Sequence, residues 1–113
     1  MNLEERVELL EFQVKLLFNN TELDRFFYET QVTKKQYDKI MDLMDSFRDK
    51  IDNGKHVYHG EFESLIYEIV PHKNGDYHFC EYVAKGFAEN HQWEEVFYNL
   101  YGDMPKYSYL KKQ

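Results

Sequence analysis

Cysteine, proline, glycine and long apolar runs are scarce in this chain, an excess of positive charge is absent, and each lack removes a class of protein. Cys80 is the only cysteine, so it has no partner for an internal disulfide and the chain does not read as a disulfide-framed secreted domain. No apolar run approaches the length of a membrane span or of a signal-peptide core. The expected setting is therefore the cytoplasm, without a membrane partner. Two prolines and five glycines among 113 residues leave little to interrupt regular structure, and there is no internal repeat or low-complexity segment. The 14 Lys plus Arg face 21 Asp plus Glu, a net charge of −7, opposite to what a phosphate backbone attracts. Direct nucleic-acid binding is not expected.

What is present describes a folding chain. Hydrophobic residues at 42% and charged residues at 31% supply both a core and a solvated exterior, which excludes a disordered reading. A chain of this length supports one core. Aromatics reach 18%, with ten Tyr, nine Phe and one Trp. A small core cannot enclose twenty rings, so some Tyr must line the surface, either capping the core edge or forming a contact patch.

The N-terminal stretch carries the most distinctive pattern. Leu3, Val7, Leu10, Val14 and Leu17 follow a 4-3-4-3 spacing, the a/d stripe of a coiled-coil seam. Leu9, Phe12, Leu16 and Phe18 widen the apolar surface beyond that stripe, so the helix over 3–18 can pack on its own domain with one side and on something else with the other. Two and a half heptads are too few for an isolated coiled coil.

The remaining elements are bracketed by capping residues. Thr21 with Asp24 opens a short helix through Phe26, Phe27 and Tyr28. Thr33 with Gln36 forms a capping box and Asn53-Gly54 a stop, enclosing a central helix whose Tyr37, Ile40, Met44, Phe47 and Ile51 repeat at helical spacing. A linker over 53–60 leads to a helix over 61–70, ended by Pro71. Asp76 caps a helix through Phe87 that closes at Asn90-His91, and a last helix carries Trp93, Val96, Phe97, Leu100 and Tyr101 before Gly102 and Pro105. No second strand pattern exists to pair with Val57-Tyr58, so no sheet is expected. The expectation is an all-α fold, an N-terminal coiled-coil-like helix followed by a compact array of four to five helices. It comprises one domain over 1–104, with 1–19 as an oligomerisation helix, and a flexible basic tail over 105–113.

Chemical motifs are sparse. There is no phosphate-cradling glycine loop, no nucleophile elbow and no His-Glu-x-x-His helix. His56 and His59 lie in the linker near Glu61 and Glu63, with His72 and His78 around the next loop. These residues could hold a metal only if the two loops met, and generic solvated histidines are the simpler reading. Cys80 sits among aromatic neighbours, where a thiol behaves as a small hydrophobe. The more informative pattern is a row of Asp38, Asp42, Asp45, Asp49 and Asp52 beside the apolar stripe of the central helix. Five carboxylates in a row describe either a solvated face or a docking strip for a basic partner surface.

Four stretches resemble a small uncharacterised helical family of Firmicute proteins typified by YhaI. They are Glu5-Arg6-Val7-Glu8-Leu9-Leu10, Val32-Thr33-Lys34-Lys35, Phe62-Glu63-Ser64-Leu65-Ile66 and Trp93-Glu94-Glu95-Val96-Phe97. The resemblance implies an all-helical oligomerising domain without known activity, and such small acidic proteins also look similar to phage products that block host factors. The expected function is a non-enzymatic interaction module, a homo-oligomer through Leu3, Val7, Leu10, Val14 and Leu17, without cofactor or metal. One alternative is a phage-type acidic inhibitor whose Asp38 to Asp52 row covers a nucleic-acid-binding surface of a host or defence protein. The other is a metal-dependent enzyme using the loop histidines.

Overall fold

The computed structural model describes residues 1–107, and these residues are all-helical, with no strand among them. The helices are α1 (Leu3–Asn19), α2 (Glu22–Glu29), α3 (Lys34–Asp52), α4 (His59–Ile69), α5 (Tyr77–Glu89) and α6 (Glu94–Tyr101), with one 3-10 turn at Pro71–Lys73. None of them is long and apolar enough to cross a membrane. The chain divides into two compact units, Met1–Lys39 and the described residues from Ile40 onward, and the boundary falls within α3.

Local chemistry sets the helix ends. Thr21 Oγ1 accepts the Asp24 backbone N–H at 3.0 Å, and Asp76 Oδ1 accepts that of Phe79 at 3.2 Å. The capping box closes both ways: the Gln36 N–H donates to Thr33 Oγ1 at 3.2 Å, and the Thr33 N–H donates to Gln36 Oε1 at 3.0 Å. Asn2, which the periodicity does not single out, caps α1 by accepting the Glu5 N–H at 2.7 Å. Helices α2, α3 and α5 each end in a Schellman motif, with left-handed residues Gln31, Gly54 and His91 followed by backbone bonds from Val32 to Phe27, Lys55 to Lys50 and Gln92 to Phe87. Helix α4 starts at His59, two residues before the expected Glu61, so Gly60 falls in its first turn, and the extended Tyr58 stands at its N-cap.

In the first unit α1 packs on α2. Phe12, Leu16, Leu23, Phe27 and Val32 are buried, and the Tyr37 ring meets those of Phe12 and Phe27, each at 5.4 Å between centroids. Burial, with Asp24 and Asp38 nearby, pushes the Tyr37 hydroxyl above its ordinary pKa.

The second unit packs α4, α5 and α6 against one another. Its interior is aromatic: Phe62 lies edge-on to Phe47 at 5.4 Å and to Tyr101 at 6.5 Å, and Phe97 meets Tyr107 edge-on at 5.1 Å. The surplus of rings reaches the surface as expected, since Tyr28, Tyr58, Tyr77, Tyr82 and Tyr98 are exposed.

Candidate functional site

Helix α1 presents two apolar faces. At about 100° per residue, Leu3, Val7, Leu10, Val14 and Leu17 fall within an arc of roughly 80°, and Phe12 and Leu16 lie on the opposite side. The structure follows this division. Phe12 and Leu16 are 6% and 2% exposed, whereas the five seam residues range from 43% for Val7 to 74% for Leu3. Phe18, beside the seam, is 87% exposed. The seam runs about 21 Å along the helix, and a continuous apolar row of that length on a surface marks a contact site more often than scattered single residues do.

The aspartate row divides differently. Asp38 forms a 2.9 Å ion pair with Lys34 one turn earlier, both exposed. Asp45 is committed within the second unit, where its Oδ1 accepts the Trp93 indole N–H at 2.9 Å and pairs with Arg48 at 2.8 Å. Asp42, Asp49 and Asp52 are exposed. Two of the five carboxylates thus already have partners inside the chain.

The histidines also separate. His56 and His59 line an open groove of about 900 Å³ with Lys55, Tyr58 and Tyr98, and His72 and His78 are not among its lining residues. The His59 ring stacks on Tyr101 at 5.7 Å, and its Nδ1 lies 3.4 Å from Glu63 Oε2, the same oxygen that accepts the Tyr101 hydroxyl at 2.8 Å. Burial and the Glu63 carboxylate raise the Tyr101 pKa, so its hydroxyl stays protonated and donates. Among the described residues no three His, Cys, Asp or Glu side chains converge as metal ligands. Burial pushes the Cys80 thiol up to about 12 against a hydrogen bond with Tyr67 that acts the other way, which leaves it protonated at neutral pH.

One cluster escaped the sequence reading. Glu81 is buried on α5, where Lys106 Nζ pairs with its Oε1 at 2.6 Å and the buried Tyr107 donates its hydroxyl to the same atom at 2.7 Å. Burial alone would raise this carboxyl, but the hydrogen bonds from Lys106 and Tyr107 together with the charges of Lys106 and His78 outweigh it and hold Glu81 below its ordinary pKa. The available signal was Glu81 itself, an acid between Cys80 and Ala84 in the buried stripe. Pro105, Lys106 and Tyr107 open the expected tail; its remainder, 108–113, lies outside the described residues.

Comparison with family models, curated proteins and solved structures returns no match to this chain.

Proposed function

We propose that this protein is a non-enzymatic interaction module that associates with itself through the outward seam of α1. The observation that carries the reading is the exposure of Leu3, Val7, Leu10, Val14 and Leu17 together, on a helix whose other face is buried at Phe12 and Leu16. A helix that only completed its own core would need one apolar face.

The energetics support association of moderate strength. Burying one such side chain fully contributes about 1.5 to 3 kcal/mol. The seam residues are already partly covered, so two facing seams sum to about 10 kcal/mol, the same order as the association cost of about 4 to 15 kcal/mol. Because α1 is already held helical by the Asn2 cap and its packing on α2, the nucleation penalty of a short coiled coil does not fall on association.

Replacing Leu10 and Val14 together with Glu tests this directly. Both are mostly exposed, so the fold should tolerate the charges, while like charges across a seam should dissociate the assembly. The expected result is an unchanged helical dichroism spectrum and a monomeric sedimentation profile. A variant as associated as the parent would contradict the reading.

A further inference from the structure

The seam residues carry a register, and the register carries a geometry. Taking Val7 and Val14 as a positions places Leu3, Leu10 and Leu17 at d, Glu4, Glu11 and Phe18 at e, and Arg6 and Gln13 at g. The residues that α1 buries, Phe12 and Leu16, fall at f and c, on the side away from a and d. The whole a/d edge with its flanking charges is therefore open to a second helix.

We propose that α1 pairs with α1 of a second copy as a parallel, in-register, two-stranded coil. This rests on the self-association reading above and specifies its partner and geometry. Two independent features select it. The first is side-chain shape: β-branched residues at a with Leu at d favour two strands, because the parallel dimer holds a and d knobs at different packing angles. All of its a positions are Val and all of its d positions are Leu.

The second feature is charge complementarity. In a parallel pair a g residue faces the e residue five positions on in the partner helix. Arg6 then faces Glu11 of the second copy, and symmetry repeats the pair on the other edge. Both residues are exposed, and neither joins an ion pair within the chain among the described residues. The antiparallel arrangement sets e against e and g against g, which brings Glu4 beside Glu11 and leaves Arg6 opposite Gln13. A slip of one heptad leaves part of the seam uncovered, so the shared register buries the most apolar surface.

The test uses the full chain. Leu3→Cys and Leu17→Cys, each made separately and then mixed under oxidising conditions, report direction, since a disulfide requires Cα atoms within about 7 Å. Cys80 is buried and does not compete. Parallel pairing predicts Cys linkages of position 3 with 3 and 17 with 17, in a particle of twice the chain mass. Arg6→Glu and Glu11→Arg should each raise the dimer dissociation constant about tenfold, and the double variant should restore it. Predominant 3-to-17 linkage, a trimeric mass or failure of the double variant to recover overturns the parallel pair while leaving self-association standing. A parent chain that stays monomeric overturns both.

Discussion

The indole N–H of Trp93 reaches Asp45 at 2.9 Å across 48 residues of sequence, tying the residue before α6 to the middle of α3. Trp93 holds this position with a backbone φ of 51°, in the left-handed region that a bulky residue adopts at a cost of order 1 kcal/mol. Its ring, edge-on to Phe87 at 4.9 Å, and its bond to Asp45 offset that strain.

Trp93→Phe keeps an aromatic ring beside Phe87 and removes the N–H. The expected loss is about 1 kcal/mol of unfolding free energy, and in an Asp45→Ala background the same substitution should cost distinctly less. Urea denaturation of the four proteins of that cycle measures the coupling. Simple additivity would mean the hydrogen bond contributes nothing.

The Schellman motifs predict opposite signs for two helix-end substitutions. Gln31 is exposed at a φ of 59°, so Gln31→Gly should raise stability by about 0.5 to 1 kcal/mol. Gly54 has a φ of 75° and open space around its Cβ position, so Gly54→Ala should lower it by about 1 kcal/mol through the backbone alone. Thermal midpoints that move together in one direction would contradict the assignment.

Glu81 makes acid sensitivity predictable. Its carboxyl is held below the ordinary value in the folded chain, so the unfolded chain binds the proton first as pH falls. The stabilisation is complete above the unfolded carboxylate value, about 4.3, and is lost as pH falls through the lower folded value. Glu81→Gln should therefore remove part of the acid-side slope of stability against pH. An identical slope in the variant and the parent would show that Lys106 and Tyr107 do not hold this group.

Cys80 should resist thiol reagents in the native chain, because the side chain is buried and its thiol is pushed up to about 12. Labelling at pH 8 should proceed only at the rate of opening of the second unit and become fast in denaturant. Rapid stoichiometric labelling without denaturant would place the thiol at the surface.

The helices were legible because their signals are local. Thr21, Thr33 and Asp76 cap as their spacing to Asp24, Gln36 and Phe79 implies, and a 3.6-residue period identifies each buried stripe within a single turn or two. The two faces of α1 were legible for the same reason, as Leu10 and Phe12 sit on opposite sides of one cylinder. The partners of polar side chains were not. Trp93 with Asp45, Tyr101 with Glu63 and Tyr107 with Glu81 lie 48, 38 and 26 residues apart, and no periodicity within a helix encodes which distant group will satisfy a hydroxyl or an indole. The aspartate row shows the consequence: uniform in the sequence, it includes one member that serves the fold through Trp93.

Sedimentation of the unmodified chain over a concentration series reaching about one hundred micromolar weighs the exposed seam most directly, since its apolar area balances an association cost of the same order. Association through the α1 seam predicts a shift from one to two chain masses across that series. A single chain mass throughout would contradict it and leave Leu3, Val7, Leu10, Val14 and Leu17 as an exposed apolar row that does not recruit a second copy.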